Sequence, residues 1–275
     1  MSESSARRKL KRGIEQVNAL RDEAATFEDA EVYEFTTECE RRSPKQLACR
    51  SFATRGKPQP DHWPLLAGEA IQNLRSALDH SVYELVPASK RGKSIFPIYK
   101  DPCEFQVLGR RDIPGIPEAI RTLIEQAQPY RRRPENPDRD PLQELRSLSN
   151  IDKHRTLTTF DVAVIPGPIF GVGWAKVTNL VTHRALTDDK TEIASFIVQV
   201  ADGVEIDQVQ VTPIFSYEVR IQARPLFVLT AIARRVFEIV VECETGQAFS
   251  PDTTYPELFT KPNEIYGPWP PGRPS

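Results

Sequence analysis

The sequence predicts an α+β protein in which a helical bundle packs with an antiparallel β-sheet. Apolar residues recur at steps of three and four in five segments, which is the period of a helix that buries one face. Over residues 157–223 the period changes to two, the period of a strand with one buried face. Helical and strand patterns thus occupy separate stretches of the chain, as is typical of the α+β class. We expect a single α+β domain over residues 1–275.

The helical pattern predicts helices at residues 5–24, 62–86, 117–128, 141–154 and 226–243. The largest block of this helical part is 62–155. The last helix, 226–243, is apolar on almost every side, which indicates a buried helix. Prolines and glycines between the helices predict loops.

The sheet is predicted mainly from residues 28–55 and 157–223. In the first region two alternating runs, 32–38 and 47–54, are joined by R-R-S-P-K, which predicts a hairpin. In the second region, short alternating runs separated by turn residues predict an antiparallel meander of about four to six strands. The proline-rich tail, 251–275, is expected to be extended or disordered.

The overall composition is that of an ordinary soluble globular protein, with 39% hydrophobic and 27% charged residues. A net charge of −2 argues against a protein that coats nucleic acid through its overall charge. The basic cluster at 7–12 is expected to be a solvated helix face, with RNA as the less favoured partner. Because the chain has no run of 18 apolar residues and no apolar secretory signal, we expect a cytoplasmic protein without a membrane partner.

The four cysteines show no C-x-x-C pair and no zinc-like spacing. Cys39 and Cys49 could face each other across the predicted hairpin, but disulfides are rare in a reducing compartment. We therefore expect Cys39, Cys49, Cys103 and Cys243 to be packing residues or inert thiols.

The long helix, 62–86, carries the best candidates for chemistry. Its apolar stripe leaves four polar residues to the sides: Asn73, Arg75, Asp79 and His80. At about 100° per residue, Asn73 and His80 lie within roughly 20° of each other on one flank, and Arg75 and Asp79 lie one turn apart on the other. The helix is therefore expected to present two polar flanks.

Arg75 and His80, with four residues between them, match the R-x(4–6)-H motif of HEPN domains. This part of the chain resembles that family of helical bundles, many of which are metal-independent ribonucleases. The resemblance covers the helical part and implies that His80 transfers a proton, that Arg75 steadies the phosphate, and that the site is shared across a dimer interface. Ser76 stands where the family often has Asn, Asp or His.

Helix geometry favours a homodimer if this resemblance holds. Arg75 and His80 lie about 140° apart around one helix, so a single helix cannot direct both at one phosphate. A two-fold axis would bring Arg75 of one copy toward His80 of the other. The structural alternative is that Arg75 pairs with Asp79 at i,i+4 and that Asn73 and His80 form interhelix hydrogen bonds.

A second polar cluster ends the predicted helix 141–154 and consists of Asn150, Asp152, Lys153, His154 and Arg155. In the functional interpretation this end lies beside the long helix and completes a phosphate pocket with His80. In the structural interpretation the cations only favour the negative end of the helix. The segments G-E-A-I-Q-N-L-R-S-A-L-D-H and N-I-D-K-H-R together resemble an uncharacterised bacterial protein family, which implies a family but no activity.

These observations predict a HEPN-like metal-independent ribonuclease or RNA-binding protein, of a toxin or defence kind. Arg75 and His80 are the expected catalytic residues. Asn73, Asp79 and the cluster from Asn150 to Arg155 are expected to bind phosphate or substrate. Asp79, His80, Asp152 and His154 are also ligand types for divalent metals, but their spacing is poor, so we expect no metal and no cofactor. The alternative is a non-catalytic binding or interaction protein.

Overall fold

The computed structural model describes residues 3–29, 33–56, 58–154, 160–171, 175–182, 190–203, 205–206 and 211–250. The chain divides into two compact units. The helical unit is drawn from residues 1–21, 64–158 and 227–275, and the sheet unit from 22–63 and 159–226. Helices and antiparallel sheets are both present, so the α+β class is confirmed. The predicted tail, 251–275, lies outside the described residues.

Eight α-helices are found in the described part of the chain: α1 (Ser5–Asp29), α2 (Trp63–Leu85), α3 (Pro102–Glu104), α4 (Arg110–Asp112), α5 (Glu118–Gln126), α6 (Pro129–Arg132), α7 (Pro141–His154) and α8 (Phe227–Thr245). All five predicted helices are therefore confirmed, with ends that differ by up to five residues. Among the described residues, no helix is long and apolar enough to cross a membrane.

The short helices were not predicted, because three or four residues are too few to display a helical period. A π-helical turn, Phe105–Gly109, joins α3 to α4, and 3₁₀ turns occupy Ala88–Lys93 and Pro137–Arg139. Local capping explains the start of α3. The Asp101 side chain accepts hydrogen bonds from two backbone N–H groups of the first turn, at 2.7 and 3.0 Å.

The core of the helical unit consists of the predicted apolar stripes. Leu74 of α2 is fully buried, and a Cβ atom at Gly13 of α1 would lie only 2.9 Å from its side chain, so a glycine is needed for α1 and α2 to approach this closely. Helix α8 contacts α5 and α7, and most of its surface is buried, as its apolar sequence predicts. This packing fixes α2 and α7, the two helices that carry the polar clusters.

The sheet unit contains seven described strands: β1 (Tyr33–Ser43), β2 (Gln46–Arg55), β3 (Phe160–Gly171), β4 (Ala175–Thr182), β5 (Lys190–Val200), β6 (Val211–Ile221) and β7 (Arg224–Pro225). They form two antiparallel sheets, in the orders β1-β2-β5-β4 and β3-β6-β7. The hairpin β1–β2 is confirmed. The single meander is wrong, because alternation locates strands but does not identify their partners.

Cys39 and Cys49 form a disulfide, so the prediction of inert thiols is wrong for this pair. The antiparallel register places Cys39 directly opposite Cys49, with their Cα atoms 4.1 Å apart. Cys243 is buried, and burial raises the pKa of its thiol to about 12, which agrees with an inert thiol. Cys103 is exposed and is not a packing residue.

Candidate functional site

Asn73 belongs to a row of side-chain hydrogen bonds between α1 and α2, which we call the α1–α2 ladder. Its Nδ2 donates a hydrogen bond to Oε1 of the buried Gln16 at 2.8 Å, and Lys9 Nζ donates to its Oδ1 at 3.3 Å. Gln16 in turn donates to Glu69 at 2.5 Å. Both ends of the Asn73 amide are therefore occupied by helix–helix contacts.

Arg75 and Asp79 form a two-bond ion pair on the opposite flank of α2. Arg75 Nε and Nη2 donate to the two carboxylate oxygens of Asp79, at 3.2 and 2.8 Å. The same pair holds one peptide of the loop that follows, because Arg75 Nη2 donates to the Phe96 carbonyl at 2.8 Å and the Phe96 N–H donates to Asp79 at 2.9 Å. The pair thus joins α2 to the segment 94–99.

Other side chains bind the backbone of the same extended segment, 94–99. Gln128 accepts from the Tyr99 N–H and donates to the Pro97 carbonyl, each at 2.9 Å. Arg146 of α7 donates to the Ile98 carbonyl at 2.7 Å. Because irregular backbone that is buried must find hydrogen-bond partners, these side chains explain how the segment is held without a neighbouring strand.

His80 lines a separate cavity of about 350 Å³, together with Ser5, Asp79, Tyr83, Glu84 and Ser94. Its Nδ1 lies 2.8 Å from the Ser5 hydroxyl, and that hydroxyl donates to Glu84 Oε1 at 2.7 Å. A serine hydroxyl has one proton, so Ser5 must accept from Nδ1–H when it donates to Glu84. The neutral imidazole then carries its lone pair on Nε2, which has no hydrogen-bond partner among the described residues.

A cation lies beside this cavity. The Arg91 guanidinium is 5.2 Å from the centroid of the Tyr83 ring, one of the residues lining the cavity, and Arg91 Nε donates to the Val86 carbonyl at 2.9 Å. Asp79 also lines the cavity, but its charge is balanced by Arg75. The cavity thus has the Glu84 carboxylate in its lining and the Arg91 guanidinium against one of its lining residues, Tyr83.

Arg75 lines a different cavity, which we call the arginine pocket. It has a volume of about 200 Å³ and is lined by Arg75, Ile95, Phe96, Pro97, Ile98, Tyr99, Asp112, Arg146, Ser149 and Asn150. The Tyr99 hydroxyl donates to Asp112 Oδ2 at 2.9 Å, and the Arg146 guanidinium lies 5.5 Å from the centroid of the Tyr99 ring.

Burial dominates the titration of two groups in the arginine pocket. It raises the pKa of Asp112, although the hydrogen bond from Tyr99 and the charges of Arg75 and Arg146 act in the opposite direction. Burial, together with the hydrogen bond to Asp112, raises the pKa of Tyr99 to about 12. The phenol therefore keeps its proton and acts as a donor near neutral pH.

The predicted site residues are thus distributed over three places. Arg75 and Asn150 line one pocket, Asp79 and His80 line another, and Asn73 lies in the α1–α2 ladder. All contacts of the structural alternative are present: Arg75 pairs with Asp79, and Asn73 and His80 bind residues of α1. The side chains of Asp152, Lys153 and His154, and the whole of Arg155, lie outside the described residues, so a meeting of His80 with His154 stays a prediction.

Several residues of these cavities were not singled out from the sequence. Glu84 had a signal, since it follows His80 by four residues on the same helix face. Ser5, Asp112 and Ser149 had none, because each reaches its cavity only through tertiary packing. Among the described residues, no group of three or more His, Cys, Asp or Glu side chains is arranged to hold a metal ion.

Comparison with known proteins gives no relative from which a function could be inferred. No protein-family model matches the chain, and neither the curated proteins nor the solved structures contain a match. The HEPN resemblance stays a prediction that depends on Arg75 and His80. Any function must be argued from the geometry of the cavities.

Proposed function

We propose that this protein is a metal-independent ribonuclease in which His80 is the general base. The observation that carries the proposal is the hydrogen-bond chain from Glu84 through Ser5 to His80 Nδ1. Such a chain fixes the tautomer and orientation of an imidazole and leaves the other nitrogen free to accept a proton. Here that nitrogen is Nε2, in a cavity of about 350 Å³.

The proposed reaction uses the ribose 2′-hydroxyl as nucleophile. His80 Nε2 takes the hydroxyl proton, the 2′-oxygen forms a bond to the adjacent phosphorus, and the bond from phosphorus to the next 5′-oxygen breaks. Water supplies the proton to the leaving 5′-oxygen. The products are a 2′,3′-cyclic phosphate and a 5′-hydroxyl, and DNA is not a substrate because it lacks the 2′-hydroxyl.

Charge that builds on the phosphate requires a nearby cation. Arg91 beside Tyr83 is available in the same chain. Arg75 of the same chain lines the other pocket, so the role that the resemblance implies for it requires a second copy of the chain. Its Nε and Nη2 are occupied in each copy, which leaves Nη1 as the donor for the phosphate. The proposal therefore includes a homodimer in which Arg75 of one copy approaches His80 of its partner.

The test is cleavage of a mixed RNA pool in the presence of EDTA, with DNA of the same length as a negative substrate. Replacing a general base typically lowers the rate by about 10²–10⁴-fold, so His80→Gln should nearly abolish cleavage. The matched control is His62→Gln, because His62 is exposed, contacts Glu23 and is not among the residues that line this cavity. Circular dichroism should show an unchanged fold in both variants.

Two results would contradict the proposal: absence of cleavage by the wild-type protein, or His80→Gln cleaving at the wild-type rate. A second candidate, a non-catalytic RNA-binding or interaction protein, is favoured by the contacts that occupy Asn73 and Arg75. That alternative predicts RNA retention in a gel-shift assay without cleavage, unchanged by His80→Gln. Ser5→Ala adds a positioning test, since it should lower the cleavage rate without changing RNA retention.

A further inference from the structure

We propose that the arginine pocket is a binding site for a phosphate group that carries a proton, either inorganic phosphate or a phosphomonoester. The pocket lies wholly within the helical unit, between α2, the segment 94–99, α4 and α7. Within one chain it is separate from the His80 cavity and needs no second copy, so this inference does not rest on the proposed ribonuclease activity, although both proposals use Arg75.

Unused donors of two arginines line the pocket. Arg75 donates through Nε and Nη2, and Arg146 donates through Nη1, to the partners described above. Within the described residues, Nη1 of Arg75 and both Nε and Nη2 of Arg146 have no hydrogen-bond acceptor. Arg146 also has no carboxylate within ion-pair distance there, so the pocket offers planar donors that suit an oxyanion.

Ser149 supplies a further donor to the pocket. Its side chain lines the pocket, only 3% of the residue is exposed, and its hydroxyl forms no hydrogen bond with any residue that the structure describes. The hydroxyl oxygen is not one of the fully buried side-chain atoms that lack a partner, so it is open to the pocket. A ligand oxygen in the pocket would accept the Ser149 proton, and Asn150 adds an amide at the exposed edge.

Asp112 determines which oxyanion fits. Its Oδ2 accepts from Tyr99, whereas its Oδ1 has no partner in the described part of the chain. An ionised carboxylate can only accept hydrogen bonds, so an oxyanion next to Oδ1 is repelled unless it carries a proton to donate. Phosphate and its monoesters can carry such a proton near neutral pH, and sulfate cannot. The pocket is therefore selective for phosphate.

The experiment is isothermal titration calorimetry of the full chain with potassium phosphate and potassium sulfate at matched ionic strength and at pH 6.5, where a substantial share of a phosphomonoester still carries a proton. Wild-type protein should bind phosphate saturably and at least about tenfold more tightly than sulfate, since the selectivity comes from one hydrogen bond to a charged group. Asp112→Asn should bind the two ions about equally. Adenosine monophosphate is a further titrant. Tighter binding of this ester than of inorganic phosphate indicates that the ligand is a phosphomonoester, and equal or weaker binding indicates the free ion.

Two variants test the donors. Arg146→Gln should weaken phosphate binding at least about tenfold, and Ser149→Ala about three- to tenfold. Arg146 also holds the Ile98 carbonyl, so Arg146→Gln can fail to fold. Ser149→Ala removes no such contact and therefore still tests phosphate binding in that case. Arg139→Gln is the control, because Arg139 is exposed and lies outside the pocket. Absence of saturable phosphate binding by the wild type, or equal losses in Arg139→Gln and Ser149→Ala, would overturn the proposal.

Discussion

Polar side chains of α2 form contacts that hold the fold, and the sequence pattern predicts part of these contacts. The i,i+4 spacing of Arg75 and Asp79 predicts an ion pair, and the pair is present. The sequence could not show that the same pair binds the Phe96 peptide, because that contact depends on where a proline-rich loop returns to the helix. The polar residues of a helix are thus found readily, whereas their partners across the chain are not.

Asp79→Ala should be strongly destabilising. It leaves Arg75, of whose side chain only 13% is exposed, without its carboxylate, and it removes the acceptor of the Phe96 N–H. A cost of about 2–4 kcal/mol in the free energy of unfolding is expected for losing such a partly buried, hydrogen-bonded pair. Urea denaturation measures it. Asp138→Ala is the control, since its exposed pair with Lys100 should contribute at most about 1 kcal/mol. Equal effects in the two variants would refute the role of the Arg75–Asp79 pair.

Asp140 makes stability depend on pH. Its carboxyl is fully buried before α7 and accepts from the Leu142 N–H at 2.9 Å, yet burial raises its pKa above the ordinary 3.8. The folded state therefore holds the proton more tightly than the unfolded state, and this group lowers stability as pH rises from the ordinary pKa through the raised one.

Asp140→Asn keeps a side-chain acceptor for the Leu142 N–H and removes this titration. Relative to wild type, the variant should gain stability between pH 4 and pH 7, measured as the difference in the free energy of unfolding in urea. Taking the difference between variant and wild type removes the contribution of Asp112 and Glu242, whose pKa values are also raised. A difference that does not change with pH would contradict this account of Asp140.

At the scale of elements, long helices are predictable and short ones are not. The periods of α2 and α7 are visible in the sequence over several turns, whereas α3, α4 and α6 have only three or four residues each. Asp112, a residue of the arginine pocket, lies in α4. The sequence did not predict the pocket because one of its walls consists of a short helix and an irregular segment, neither of which is long or regular enough to show a hydrophobic period.

The β1–β2 hairpin is expected to depend on its disulfide. Cys39 and Cys49 are ten residues apart in sequence, and cross-linking a loop of this length stabilises a fold by about 2–3 kcal/mol. Reduction, or the double variant Cys39→Ala/Cys49→Ala, should lower the melting temperature of the protein. The matched control is Cys103→Ala, because this cysteine is exposed and unpaired. Equal melting temperatures of oxidised and reduced protein would show that the bond contributes nothing.

For the whole molecule, the sequence predicts the fold class, but it does not predict which strands pair with each other or which distant residues meet. Alternation identified the strand regions but not the two separate sheets, because the pairing of β5 with β2 joins residues about 150 positions apart in the sequence. In the same way, helix geometry places Arg75 and His80 on different flanks, and the structure confirms that they line different cavities. What brings them together in the proposed site is a second copy.

The homodimer is tested by sedimentation velocity. At micromolar concentration we expect a species of twice the 31.1 kDa chain mass, in wild type and in His80→Gln alike. A monomer at all concentrations would remove Arg75 from the proposed site and leave Arg91, which stacks on the cavity residue Tyr83, as the cation that the same chain offers.

The central claim, that His80 takes a proton from a ribose 2′-hydroxyl, is tested most directly with a DNA oligonucleotide that contains one ribonucleotide. In the presence of EDTA the protein should cut only on the 3′ side of that ribonucleotide. Mass spectrometry should then find a 2′,3′-cyclic phosphate on one fragment and a 5′-hydroxyl on the other, and His80→Gln should yield neither. Fragments that end in a 3′-hydroxyl and a 5′-phosphate, or equal cleavage by His80→Gln, would contradict the claim.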